Sequence, residues 1–253
     1  MSIEVRSLRV SYPDGFRLSV EGFQLEGRKV TAIVGRNGAG KSTFLKCLGG
    51  ILVAPKQSIL IDEQDLLSLK GSERARRISY VPQEQILALN YSVLDLVLMG
   101  RAAFIPTFST PSRTDLGMAR EAIRYVGLSG LENREISRLS SGERRLALIA
   151  RTLAQSSDIL LLDEPTTFLD PKHAVEVMDL CRKLAAERGK TIVVTLHDLE
   201  LAMKYSDIMV FMKEGKILAS GRPEDVVAEE LLERVYDLPM SIVSFDGRKL
   251  ILR

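Results

Sequence analysis

Along this chain, short apolar runs alternate with longer stretches whose apolar residues recur three or four apart. The first thirty residues alternate in strand fashion (Ile3 and Val5, then Val10 and Tyr12), with Pro13-Asp14-Gly15 as a turn. They predict an antiparallel lead-in to VTAIVG (30–35), which reads as a short buried strand. STFLKCL (42–48) opens a helix with Phe44, Leu45 and Leu48 on one side. SILID (58–62) and RISYVPQ (77–83) predict further strands. From about Glu84 to Arg138 the pattern turns helical, with SVLDLVLMGR (92–101) and TDLGMAREAIRYVGL (114–128) on either side of a Pro/Ser/Thr-rich loop, FIPTFSTPSRT (104–114). Strand–helix alternation resumes with DILLLDEP (158–165), AVEVMDLCRKLAAERG (174–189) and TIVVTLHD (191–198). IMVFMKEGKILASG (208–221) predicts a hairpin turned at Glu214-Gly215. Such alternation implies an α/β fold, a parallel sheet covered by helices, with a helical insert at 84–138 in one domain spanning 1–253.

Composition narrows this without changing it. An apolar fraction of 45% and a charged fraction of 27% are those of an ordinary globular protein. A net charge of +2, with no run of five or six like charges, argues against an electrostatic nucleic-acid binder. Cys47 and Cys181 lie far apart on predicted helices, without metal-ligand spacing, and read as buried free thiols of a reducing compartment. The sequence shows no signal peptide, and no apolar stretch approaches the ~18 residues of a spanning helix.

The first candidate chemistry lies between VTAIVG and its helix, in Gly35-Arg36-Asn37-Gly38-Ala39-Gly40-Lys41-Ser42-Thr43. A helix N-terminus presents unsatisfied N–H groups and a partial positive charge, and so attracts anions. Gly35, Gly38 and Gly40 let the loop wrap closely around a ligand. Lys41 adds a full charge, and Ser42 a hydroxyl suited to Mg²⁺. The spacing G-x-x-x-x-G-K-S is the phosphate-cradling P-loop pattern, which points to a nucleoside triphosphate.

ILLLDE (159–164) is four apolar residues followed by two carboxylates, at the carboxyl edge where α/β sheets bind ligands. There Asp163 can hold the Mg²⁺ water shell and Glu164 can polarise an attacking water. A third stretch is RLSSGERRLALIARTLA (138–154), whose Leu146, Ile149, Ala150 and Leu153 predict one apolar helical face. Ser140 with Glu143 fits a capping box, while Ser140-Ser141-Gly142 also leaves a small, polar helix start that could serve a second anion.

Together these motifs resemble those of the ATP-binding cassette (ABC) ATPases, from one end of the chain to the other. Gly35 to Ser42 is similar to Walker A, Gln83 in YVPQ to the Q-loop, and Leu139 to Glu143 to the signature motif. ILLLDE resembles Walker B, TFLD (167–170) with Asp170 the D-loop, and His197 in TLHD the switch histidine. Tyr12 stands where the family places an aromatic that stacks on adenine. The resemblance implies a P-loop NTPase (RecA-like) fold, mainly a parallel sheet with an N-terminal antiparallel β subdomain and a helical insert. It implies ATP with Mg²⁺ as cofactors, the metal served by Ser42, Gln83 and Asp163, and ATPase activity carried by Glu164, His197, Gln83 and Lys41. It also implies a homodimer in which each ATP lies between Walker A of one chain and Ser140, Ser141, Gly142 and Glu143 of the other.

Two departures stand out. The signature reads LSSGE where LSGGQ is usual, so a carboxylate faces the problem of a nearby triphosphate; the capping box would turn Glu143 back onto its own helix. The D-loop reads TFLD where SALD is commoner. SVLDLVLMGRAAF (92–104), LAMKYSD (201–207) and GRPEDV (221–226) resemble importers of iron chelates, haem, vitamin B12 and oxyanions such as molybdate. The expectation is thus an ATPase at the cytoplasmic face of the membrane, attached through integral-membrane permease subunits and served indirectly by a substrate-binding protein, with no nucleic acid. The rivals are a soluble ABC ATPase of iron–sulfur assembly or nucleic-acid and ribosome work, and a nucleotide-gated binding module with little hydrolysis.

Overall fold

A computed structural model describes residues 2–13, 15–83, 91–106, 108–245 and 248–252. The chain forms two compact units, residues 1–68 with 181–253, and residues 69–180.

The first unit opens with β1 (Ile3–Ser11) and β2 (Arg17–Leu25), paired antiparallel from Ile3↔Leu25 to Ser11↔Arg17. The inward face shifts by one residue where Arg6-Ser7 opposes Glu21-Gly22, so Leu8 is fully buried and Val10 only half-buried. Tyr12 lies beyond the end of the strand. β3 (Val30–Val34) is buried at all five positions, as a strand covered on both faces must be. It leads into α1 (Lys41–Leu48), whose Phe44, Leu45 and Leu48 are completely buried as the periodicity predicts. β4 (Ile59–Ile61) then pairs antiparallel with β1, and β5 (Gln64–Asp65) with β4.

The second unit contains α2 (Gly71–Arg77), β6 (Ile78–Val81), α3 (Val93–Leu98), α4 (Arg113–Tyr125), α5 (Ser141–Ala154) and β7 (Ile159–Leu162). Of the helical stretch expected from Glu84, the first described helix is α3, and residues 84–90 lie outside the described residues. α3, α4 and α5 pack on one another. Each starts with a reciprocal capping box, Ser92 with Asp95, Ser112 with Asp115, and Ser140 with Glu143. The apolar face of α5 differs from expectation. Ile149 and Ala150 are buried, but Leu146 and Leu153 are half-exposed, and Ala147, Leu148 and Arg145 turn inward instead. Arg101 holds the base of the helical group: its guanidinium reaches Asp115 at 3.0 Å and the Ala154 carbonyl at 2.8 Å, and lies 3.8 Å over the Phe104 ring. β6 and β7 pair in parallel, Ile78↔Ile159 to Val81↔Leu162.

α6 (Pro171–Arg188) carries the chain back into the first unit. There β8 (Thr191–Leu196) pairs in parallel with β3, and after α7 (Leu199–Tyr205), β9 (Ile208–Lys213) pairs in parallel along the opposite side of β3. β10 (Lys216–Gly221) returns antiparallel through the Glu214-Gly215 turn, as predicted. Beyond it, sequence reading foresaw nothing of α8 (Pro223–Val226), α9 (Glu229–Tyr236) and the hairpin of β11 (Ser241–Phe245) with β12 (Arg248–Leu252). Cys47 and Cys181 are buried and unpaired with each other, and burial raises their thiols to about 11 and about 12. Among the described residues no helix is long and apolar enough to cross a membrane.

Candidate functional site

In the first unit, the β3–α1 loop is shaped by its glycines. Gly35, Gly38 and Gly40 all take positive φ, 154°, 80° and 98°. At Gly35 a Cβ would come within 2.3 Å of the Met212 carbonyl oxygen, and at Gly40 within 2.8 Å of the Phe16 ring. At Gly35 the backbone oxygen leaves no room for a side chain, and at Gly40 the φ of 98° strains any residue but glycine. The loop is braced from outside by the β9–β10 turn, where the Gly215 N–H donates to the Ala39 carbonyl at 3.0 Å.

Lys41 is only 4% exposed. Its Nζ donates to the carbonyls of Gly35 at 2.8 Å and Arg36 at 3.2 Å, which fixes the ammonium inside the curve of the loop. Gly40 is the N-cap of α1 and no side chain caps it, while Ser42 and Thr43 sit half-buried in the first turn. The exposed Asn37 and Gly38 form the loop's outer edge. Arg36, also exposed, pairs with Asp237 at 2.6 Å, and Lys213 reaches the same carboxylate at 2.5 Å. Those two cations hold the Asp237 carboxyl below the usual range, the Lys213 hydrogen bond contributing most.

Register places the histidine. Val34 pairs with Leu196, so Gly35 and His197 emerge side by side at the carboxyl edge of β3 and β8, and His197 is exposed there. Tyr12 is half-buried in the β1–β2 turn, 6.0 Å from Phe16 between ring centroids. Tyr12 thus lies past the last paired residue of β1, Ser11.

The second unit repeats this logic with acids. Val81 pairs with Leu162, which brings Gln83 beside Asp163 and Glu164 at the carboxyl edge of β6 and β7. Gln83 Nε2 donates to Glu164 Oε2 at 2.6 Å, and the Thr167 hydroxyl reaches the same oxygen at 3.2 Å. Glu164 takes φ 46°, a left-handed backbone uncommon outside glycine, at a position only 6% exposed. Strain of this kind persists only where surrounding contacts impose it. Asp163, 2% exposed, accepts from the Tyr80 hydroxyl at 2.9 Å. Burial first, then the Asp163 charge and that hydrogen bond, push the Tyr80 phenol far above its usual range.

At the start of α5, Glu143 Oε2 accepts the Ser140 N–H at 2.7 Å, and Ser140 Oγ accepts the Glu143 N–H at 3.2 Å. The carboxylate is turned onto its own helix start, and the Ser140 N–H chiefly holds it below the usual glutamate range. Ser141 is exposed and Gly142 buried. In the TFLD turn, Phe168 takes φ 64° and is 79% exposed, while Asp170 caps α6 by accepting the His173 N–H at 3.0 Å.

Four residues escaped the sequence reading. Phe16 packs at Gly40, Asp237 bridges Arg36 and Lys213, Arg145 donates to the carbonyls of Pro82 and Gln83 at 3.0 Å each, and His173 lies against Gly142. Arg145, directly after Glu143 and Arg144, reads in sequence as part of a charged helix face. The other three depend on pairings far apart in sequence.

Comparison with known proteins agrees with this geometry. A family profile described as ABC transporter matches residues 19–167. The petrobactin import ATP-binding protein FpuD of Bacillus anthracis is 36% identical over 241 residues, covering 95% of this chain and 88% of that one. A solved structure provisionally assigned to the metal-chelate type of ABC transporter, in an inward-facing conformation, superposes with a TM-score of 0.85 at 30% identity, covering 99% of this chain and 95% of that one. A dimeric ATP-binding cassette in a post-hydrolysis state, bound to ADP and Pi, gives a TM-score of 0.73 at 25% identity, covering 87% of this chain and 98% of that one. The chain belongs to the ATP-binding proteins of the ABC transporter family. It binds ATP and is an ATPase with the P-loop NTPase fold, as its motifs imply.

Proposed function

We propose that this chain is the ATP-hydrolysing subunit of a metal-chelate importer, and that its cargo is of the iron–siderophore class rather than haem, cobalamin or molybdate. The observation that carries the reading is the 36% identity, over nearly the whole chain, with a protein named for petrobactin import. The 30% identity with a transporter assigned to the metal-chelate type supports the same class.

The residues divide the work between the units. In the first, the loop from Gly35 to Thr43 and the Lys41 ammonium bind the triphosphate, Tyr12 stacks on the base, and His197 stabilises charge on the γ-phosphate. In the second, Glu164 takes a proton from water as the water oxygen bonds to the γ-phosphorus and the bond to the bridging oxygen breaks, leaving ADP and phosphate. Gln83 orients Glu164 through its 2.6 Å hydrogen bond. Ser42, Gln83 and Asp163 would hold Mg²⁺. Their chemistry fits: a hydroxyl, an amide and one carboxylate suit an ion that takes most of its oxygens from phosphate and water. Among the described residues no group of three or more His, Cys, Asp or Glu forms a separate metal cage. When bound, Mg²⁺ neutralises charge building on the phosphate oxygens.

Two copies sandwich two ATP molecules, the Walker A loop of each facing Ser140, Ser141, Gly142, Glu143 and Asp170 of its partner. A related cassette solved as a dimer supports this arrangement. The helical insert expected over 84–138, whose described helices are α3 and α4, meets the permease subunits at the cytoplasmic face of the membrane, and a substrate-binding protein delivers cargo to the permease.

The test uses Glu164→Gln. With ATP and Mg²⁺ the purified variant is expected to dimerise by light scattering and to stall in phosphate release. In cells, the same variant is expected to abolish uptake of radiolabelled iron presented as a siderophore. Wild-type turnover would remove Glu164 from the base role, and unchanged iron uptake would remove the cargo class.

A further inference from the structure

The signature reads Ser-Ser-Gly where two glycines are usual, and the structure distinguishes the two positions. Ser141 is exposed and has room for a side chain. Gly142 has none. A Cβ there would lie 2.3 Å from His173 Cδ2, 2.6 Å from Cγ and 3.0 Å from Nε2. The imidazole therefore fills the space that a side chain at 142, in the first turn of α5, would need.

The other edge of the ring is held as firmly. His173 Nδ1 is 2.6 Å from Asp170 Oδ2, while Asp170 Oδ1 accepts the His173 backbone N–H at 3.0 Å. One carboxylate thus caps α6 and orients the ring that covers α5. The contact brings two helix N-termini together, each with a partial positive charge. Asp170 and Glu143 offset that charge from either side. Both carboxyls are held below their usual range, chiefly by the N–H groups they cap, with His173 contributing at each.

We infer that His173 is a positioning residue for ATP hydrolysis, tying the signature turn to the D-loop within one chain so that both segments reach the partner's nucleotide as one piece. This rests on the reading above, in which Ser140–Glu143 and Asp170 face the ATP held by a second copy. It also explains why Gly142 is glycine for a reason inside the chain, apart from any contact with phosphate.

The experiment compares wild type, His173→Ala and His173→Asn in steady-state ATP hydrolysis, in affinity for a fluorescent ATP analogue, and in melting temperature. His173→Ala is expected to lower kcat at least tenfold, with nucleotide affinity within twofold and melting little changed. A merely structural residue would move all three together. His173→Asn places an amide where Nδ1 stood and is expected to recover most of the lost rate. If His173→Ala keeps kcat within twofold of wild type, or His173→Asn is as slow as His173→Ala, the assignment fails.

A second measurement reads the contact without nucleotide. Gly142→Ala is expected to lower the melting temperature in wild type but not in the His173→Ala background, where the Cβ has room. Equal drops in both would overturn the ring-on-glycine argument. Glu164→Gln run alongside separates this inference from the reading beneath it. Full turnover there removes the hydrolysis scheme itself. A stalled Glu164→Gln with an active His173→Ala removes only His173.

Discussion

The two helix starts that the sequence marks as anion sites, α1 and α5, are built in opposite ways. α1 begins at a left-handed glycine, Gly40, with no side-chain cap, beside a lysine bonded to the loop's own carbonyls. α5 begins with a complete capping box that Ser140 and Glu143 make for themselves. The first leaves its leading N–H groups without a side-chain cap and depends on the surrounding β9–β10 turn and Phe16 for its shape. The second is finished before any ligand arrives. In this reading the P-loop is where binding energy is gained, and the signature is a pre-folded surface that has only to be brought up to it.

The sharpest way to break that contrast is Lys41→Ala. It removes the one full charge inside the loop, and charge-assisted hydrogen bonds to phosphate are among the strongest available. ATP affinity should fall at least about a hundredfold by equilibrium titration. An affinity within twofold of wild type would mean that the loop's backbone alone binds ATP.

The contrast also shows what sequence could and could not supply. The apolar runs of β3, β7 and β8 were legible because strands covered on both faces need an unbroken hydrophobic stretch, and the P-loop because its spacing is fixed by phosphate geometry. The capping box of α5 was legible because its partners are three residues apart. Its buried face was not. Periodicity assigned Leu146 and Leu153 to the core, whereas Arg145 turns inward because the carbonyls of Pro82 and Gln83 await it. Likewise Glu164 sits in a left-handed backbone that no composition announces. After Gly221 the charges of α9 masked its apolar positions, Leu232 and Val235, whereas the terminal hairpin did carry a signal, Asp-Gly at 246–247 between two runs of strand formers, and went unread.

Ser141→Asp tests the finished surface. It places a carboxylate where the partner's triphosphate should arrive, in an interface where charges are screened less than in open water. ATP binding to the isolated chain should hold, while ATP-driven dimerisation by light scattering and phosphate release should both fall by roughly tenfold or more. Normal dimerisation would reduce SSGE to a helix cap.

Tyr12→Ala returns to the first unit with a smaller effect. Base stacking is worth ~1–3 kcal/mol and discriminates poorly between bases. ATP and GTP affinities should therefore weaken together, by about tenfold, in a variant that melts normally. Unchanged affinity would leave the Tyr12–Phe16 pair as a support for Gly40 alone.

Glu143→Gln should produce the smallest change. It restores the commoner family residue and weakens one arm of the capping box, at a cost of about 0.5 kcal/mol. The folded Glu143 carboxyl lies below its ordinary value of 4.5, so its contribution is complete above that pH and is lost as the pH falls through the folded value. Denaturant midpoints of wild type and variant should differ at pH 7 and converge on acidification below 4.5. A gap that stays constant with pH would assign the difference to packing.

The two buried cysteines have a practical consequence for reagent chemistry. With thiols raised to about 11 and about 12, Cys47 and Cys181 hold almost no thiolate at neutral pH, and maleimides attack thiolate. They are the only two cysteines in the sequence. A single cysteine placed at the exposed Phe168 would therefore react alone, and a donor–acceptor dye pair attached there would follow in real time the proposed closure of two copies on ATP.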